Sequence, residues 1–198
     1  MQPAHKLPYV FGEPIHTQRL TIRLMTEADI DDVYKYQSRE DVCRYQLFEP
    51  RTRDEVAEKV AKHAAATTLE KDGDYWQLAL ELPGADGAPP RVIGDIYFTI
   101  ASLPNSKGEI GWSTHPDFHG NGYASEGANA VLALAFGAIG LHRVVAELDP
   151  RNTASVALCK RLGMREEAFF VKDLWFRGQW ADTGMYAILR DEWEAMHL

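Results

Sequence analysis

Cysteine is scarce, basic tracts are missing and no long apolar run occurs, and each lack removes a class of protein. The two cysteines in 198 residues, Cys43 and Cys159, fall in segments that read as separate helices. A disulfide framework is therefore not the source of stability, and a reducing, cytoplasmic setting is the expectation. No stretch approaches the ~18 consecutive apolar residues of a membrane span. The opening MQPAHKLPYVFGEP has no apolar centre of the kind a signal peptide needs. No run of five or more basic residues is present, and 21 Lys+Arg against 29 Asp+Glu leave a net charge of −8. That balance argues against nucleic acid and anionic membranes as partners and suits acceptors carrying positive charge, such as amines. His and Cys form no cluster with ligand spacing, so no metal is expected.

The remaining composition, 45% hydrophobic and 25% charged, is that of a globular chain long enough to bury one core. Residues 1–16 carry three prolines and a glycine and read as an irregular arm, followed by one domain over 17–198. Arg19–Leu24 alternates as a half-buried strand. Thr26 is placed to cap a helix with Ile30, Val33, Tyr34 and Gln37 on one face. Thr52 opens a second helix, with Val56, Val60 and Ala64 in step, running towards Asp72-Gly73. Strands are predicted at Tyr75–Glu81, Arg91–Ala101 and Glu109–Thr114, and a helix at 122–139. A β-branched strand over His142–Leu148, a helix over Asn152–Leu162 closed by Gly163, and two aromatic strands at 166–176 and 180–189 complete the chain. Strands and helices in the order β-α-α-β-β-β-α-β-α-β-β predict an α/β (α+β) mixed sheet with helices on both faces.

Between the third strand and the third helix lies His119-Gly120-Asn121-Gly122-Tyr123-Ala124. Two glycines allow φ > 0 and close backbone approach, and the helix behind them begins with N–H groups that lack intrahelical partners. That combination can cradle phosphate oxygens, or it can be a plain strand-to-helix turn; the six residues alone leave both open. A P-loop is disfavoured because no Gly-Lys-Ser/Thr ends the loop, and a Rossmann fingerprint because the third glycine is missing.

The segments HPDFHGNGYASEG, RNTASVALCKRLGM and FRGQWADTGMYAILRDEW, with TQRLTIRLMTEADIDDVY before them, resemble the GNAT acetyltransferase superfamily, closest to its RimJ/RimL-like branch. The likeness runs over roughly residues 16–194. It implies a GNAT fold: a mostly antiparallel twisted sheet of about seven strands with about four helices. It also implies acetyl-CoA as co-substrate, a primary amine (protein N-terminus or small molecule) as acceptor, direct transfer in a ternary complex, and the dimers common in the family. Alternatives are a CoA-binding sensor or assembly module without turnover, and transfer of another acyl group such as succinyl.

Carried over residue by residue, the loop His119, Gly120, Asn121, Gly122, Tyr123, Ala124 and Ser125 would wrap the pyrophosphate, with His where the family has Gln or Arg. His119 would either bond to phosphate or only cap the loop. Trp112, Ser113 and Thr114 would line the pantetheine arm on a strand opened by a bulge, and Asn152 and Ser155 would reach that arm from the next helix. Read locally, Asn152 is an N-cap and Ser155 the N3 residue. Glu109 is the candidate base, or else a solvated strand-edge carboxylate, and Glu126 the runner-up. Ser155 is the candidate acid, since Cys159 stands where many members carry tyrosine; Cys159 is the alternative acid or, read locally, a buried packing residue. Trp175, Phe176, Trp180 and Tyr186 read mostly as packing, with one or two shaping the acceptor groove.

Overall fold

The arm is less irregular than its prolines suggest. The computed structural model describes residues 5–85 and 87–197, so the arm's first four residues lie outside the described residues. Two short strands form in the rest, β1 (Tyr9–Val10) and β2 (Ile15–His16). Strand β3 (Thr21–Leu24) leads through a 3-10 turn, Glu27–Asp29, into α1 (Ile30–Gln37). Thr26 caps that turn rather than the helix, with its N–H donating to Asp29 at 2.7 Å. Ile30, Val33 and Gln37 face inward as expected, but Tyr34 is exposed and Tyr36 is fully buried beside them.

A short helix, α2 (Glu40–Cys43), holds Cys43 as its helix-like surroundings suggest and precedes α3 (Arg53–Ala65), whose capping box joins Thr52 to Glu55. Helix α3 stops well before Asp72-Gly73. β-branched Thr67 and Thr68 find a strand partner instead, and β4 (Thr68–Leu69) pairs antiparallel with β1. Next come β5 (Tyr75–Leu82), β6 (Arg91–Ser102) and β7 (Lys107–Thr114). Helix α4 (Tyr123–Ala133) continues as a π-helical stretch, Leu134–Ile139, to Gly140 at φ 81°. Then follow β8 (Arg143–Leu148), α5 (Thr153–Arg161), β9 (Arg165–Phe176), β10 (Gln179–Leu189) and α6 (Arg190–His197), the last unread in the sequence.

The main sheet has eight strands in the order β2-β3-β5-β6-β7-β8-β10-β9, one more than expected because the arm supplies the edge strand β2. Every pairing is antiparallel except β7 with β8. The alternation of β5 and β6 divides the interior. Leu78, Leu80, Ile96 and Phe98 join Ala128, Leu132 and Leu158 of α4 and α5 on one face. Ala79 on the other face packs with Val33, Tyr36, Val56 and Val60 of α1 and α3. Helix α4 comes close because Gly127 has no side chain; a Cβ there would lie 2.5 Å from Leu80 Cδ2. Arg23 ties β3 down through Asp29 at 2.8 Å and Glu81 at 2.6 Å. Among the described residues no helix is long and apolar enough to cross a membrane.

Candidate active site

Parallel pairing of β7 with β8 begins at Lys107↔Arg143 and ends at Glu109↔Val145. Beyond Glu109 the two strands part, and Ile110–Thr114 keeps a partner only on β6. Backbone N–H and C=O groups along one side of that segment therefore have no ladder. The expected bulge is not what opens it. The β6–β7 register runs unbroken from Gly94↔Thr114 to Ile100↔Gly108, and its irregularity lies at the far end, between Ile100 and Ser102. Helix α5 keeps the gap: Trp112 Nε1–H donates to Ser155 Oγ at 3.1 Å across it. Gln46, from the segment after α2, donates to the Trp112 carbonyl at 3.3 Å on the same side.

At the mouth of the gap the glycine loop adopts the conformation its residues allow, with Gly120 at φ 78° and Gly122 at φ 80°. The first bond of α4 runs from Glu126 N–H to Gly122 C=O at 3.0 Å, so the N–H groups of Tyr123, Ala124 and Ser125 have no partner within the helix. Arg19 braces the loop, donating to the Asn121 carbonyl at 2.8 Å and to Glu126 at 2.7 Å. Asn121 is turned back on the loop, its amide donating to the carbonyls of Phe118 and His119 at 3.3 and 3.1 Å. His119 donates through Nε2 to the Thr114 carbonyl at 3.1 Å, the loop-capping arrangement. A cavity of about 580 Å³ lies here, lined by the expected Trp112, Ser113, Thr114, His119, Gly120, Gly122, Tyr123, Ala124, Ser125, Asn152 and Ser155, but not by Asn121. Arg161, which donates to Ser125 Oγ at 3.2 Å, adds a cation to its wall.

A second cavity, about 610 Å³, opens on the other side of the Trp112–Ser155 bridge and shares Tyr45, Gln46, Trp112, Ser113, Asn152 and Ser155 with the first. Its floor is the α1–α3 face of the sheet, where register sets Asp95 and Tyr97 of β6 opposite Ser113 and Gly111 of β7. Glu109 lies at the point where the strands part. Burial, and next the neighbouring Glu147 carboxylate, push its carboxyl above the usual range. Glu126, by contrast, is committed: burial alone would raise it, but hydrogen bonds from Thr17, the Arg19 backbone and the Arg19 side chain outweigh that and lower it. Ser155 accepts the indole N–H and its backbone N–H donates to Asn152 Oδ1 at 3.1 Å, so its own hydroxyl proton is free to point into the gap. Cys159 lines neither cavity; it is fully buried, and burial pushes its thiol up to about 12. Of the late aromatics, Phe176 lines the second cavity and Tyr186 is core, while Trp175 and Trp180 pack on each other at 5.3 Å and stay exposed.

The chain from 19 to 165 matches the family model of the acetyltransferase (GNAT) domain. It belongs to the GNAT acetyltransferase family. An uncharacterised N-acetyltransferase of Bacillus subtilis, YnaD, is 34% identical over 181 residues, 90% of this chain and 98% of its own. A GNAT-family acetyltransferase from Bacillus anthracis superposes with TM-score 0.79 at 31% identity, covering 90% of this chain and 99% of that one. The fold alone is shared, at 21% identity and TM-score 0.73, with spermidine N-acetyltransferase from Vibrio cholerae in complex with CoA and spermine, over 90% and 99% of the two chains. This GNAT protein is an acetyl-CoA-dependent N-acetyltransferase.

Among the acetyltransferase's cavity groups and braces, Arg19, Gln46, Asp95 and Arg161 carry no mark in the sequence. Each meets its partner across tens of residues, and no local spacing marks such a pair. Asp95 is 2% exposed, accepts from Tyr36 Oη at 2.5 Å and from Gln77 Nε2 at 2.5 Å, and burial raises its pKa from 3.8 to about 6. The folded chain therefore keeps a proton that the unfolded chain releases between pH 3.8 and about 6, and its stability falls across that window as pH rises. Asp95→Asn removes that contribution, about 3 kcal/mol over the window. Urea unfolding of both proteins at several pH values checks this; parallel stability curves for the two would refute it.

Proposed function

We propose that acetyl-CoA occupies the first cavity and a primary amine the second, and that acetyl passes directly between them at the Trp112–Ser155 bridge. The observation that carries this is the unpaired side of β7 beyond Glu109, with a cavity on each side of the bridge. The free N–H groups of Tyr123, Ala124 and Ser125, backed by the helix dipole and Arg161, suit a diphosphate. Trp112, Ser113 and Thr114 offer the extended pantetheine arm the ladder that β8 does not supply, with Asn152 beside it.

An alkylammonium acceptor must first lose a proton. Glu109 takes it, through water, and its raised pKa makes it a stronger base than an exposed carboxylate. The neutral nitrogen attacks the thioester carbon, and the oxygen that becomes negative is held by a free N–H of β7. As the C–S bond breaks, the thiolate takes the Ser155 proton, and the second proton shed by the nitrogen returns to Ser155 through water. The indole N–H on Ser155 Oγ polarises the hydroxyl for that step. Six carboxylates, Asp95, Glu109, Glu147, Asp149, Asp173 and Asp182, outnumber the cations Arg44, Arg51 and Lys59 on the wall of the acceptor cavity and favour an ammonium group. The acceptor is a small amine or a protein N-terminus, and the motif order supports the RimJ/RimL-like branch.

Thiol release from acetyl-CoA across a panel of small amines and N-terminal peptides tests the reading. Turnover with at least one acceptor is expected. Stabilisation by CoA with no turnover on any amine supports a sensor instead, and turnover only with succinyl-CoA identifies a different acyl donor.

A further inference from the structure

Arg51 is a half-buried guanidinium with open donors in the acceptor cavity. Other part-buried arginines are paired with carboxylates or carbonyls: Arg23 with Asp29 and Glu81, Arg143 with Glu167, Arg177 with Glu40 and Glu49, and Arg190 with the carbonyls of Gly140 and Leu141. Among the described residues Arg51 has no ion pair, and its side chain bonds only to the neutral Gln37 Oε1. Its plane is nonetheless held. The Arg51 N–H donates to the Gln37 carbonyl at 3.0 Å, and the guanidinium carbon lies 3.9 Å over the Phe48 ring. Burial disfavours its charge more than neighbouring Asp95 favours it. Asp95 makes no direct pair with it; its oxygens accept from Tyr36, Gln77 and, at 3.5 Å, the amide of Gln37, the residue that also accepts from Arg51.

We propose that Arg51 anchors a carboxylate on the acceptor, so that the substrate is an amino acid or another primary amine that also bears a carboxylate. This rests on the acyl-transfer reading above and deepens it. A fixed planar fork with Nε and Nη2 unused matches a carboxylate in bidentate fashion, and a neutral amide on Nη1 leaves the charge uncompensated. Glu109 and Glu147, lining the same cavity, suit the ammonium end. A zwitterion satisfies both ends, whereas an acceptor with a second cation sets like charge against a desolvated guanidinium.

The test compares amino acids with their primary amides as acceptors, in the native protein and in Arg51→Gln and Arg51→Lys. The amide is the weaker base and has more of its amine neutral, so a preference for the acid runs against that bias. With the native protein the acids are expected to have the lower KM. In Arg51→Gln their KM should rise about 10- to 100-fold, the loss typical of a charged hydrogen bond, with kcat and the amides little changed. Arg51→Lys, which keeps charge without the fork, should fall between. Calorimetric titration of the same compounds into the CoA complex reads binding without turnover, and circular dichroism checks that the variants fold. Equal KM for acids and amides, or equal effects of Arg51→Gln on both, overturns the proposal and leaves acyl transfer standing. Binding of no carboxylate-bearing amine in the titration overturns it whether or not turnover is seen. Amino acid binding that weakens in Arg51→Gln without any turnover upholds the anchor and refutes the transfer reading.

Discussion

Gly122→Val is expected to remove CoA binding, with affinity falling about 100-fold or more, equivalent to ~3 kcal/mol, in a protein that remains folded. Gly122 is at φ 80° and forms the N-cap of α4. A valine there is a backbone outlier, because its Cβ and branched methyls oppose the left-handed region. The loop relaxes by rotating that peptide, and the N–H groups ahead of Glu126 no longer converge. Overcrowding is not the cause, since a Cβ at 122 would meet only Arg19 Nη2, at 3.5 Å. The residue is exposed, so the core does not register the change. Gly137→Ala is the matched control: it sits in the π-helical stretch, a Cβ there would meet nothing within 4 Å, and it should leave affinity unchanged. Titration calorimetry with CoA decides the matter. Equal affinity in folded Gly122→Val protein would contradict the proposed diphosphate nest.

Glu109→Gln should lower kcat/KM by about 100- to 1,000-fold near neutral pH, within the range that a positioned base contributes. The deficit should shrink as pH rises, because the amine then deprotonates without help. In the native protein, burial and Glu147 hold the Glu109 carboxyl above its ordinary value, so activity should climb through an acid limb displaced upward from that of an exposed glutamate. Glu147→Gln supplies the internal check. Removing a negative neighbour favours ionised Glu109, lowers its pKa and moves the acid limb to lower pH. A pH–rate profile unmoved in both variants would assign Glu109 to the solvated edge of the strand and leave the base elsewhere in the second cavity.

The parts of the site legible in sequence were those in which chemistry and local backbone coincide. Gly120 and Gly122 announce positive φ, and both adopt it. Asn152 and Ser155 announce a helix start, and Asn152 caps that start. Cys159 reads as packing and is fully buried. Asn121 belongs to the same short motif, yet its side chain turns back on the loop because two carbonyls there need a donor. The bounds of α2 escaped because four residues are too few to display a period.

By itself the sequence determined the order of the longer elements, the alternation that gives β5 and β6 two apolar faces, and the glycine loop before α4. These follow from side-chain size, period and φ, which depend on near neighbours. Only the tertiary structure decided where β7 and β8 part, which carboxylate lies at that point, and that Arg51, Asp95 and Arg161 face the cavities. Those facts depend on contacts between residues far apart in the chain, Trp112 with Ser155 and Arg19 with Glu126 among them. Such contacts arise when separately predictable elements pack, and no local pattern encodes them.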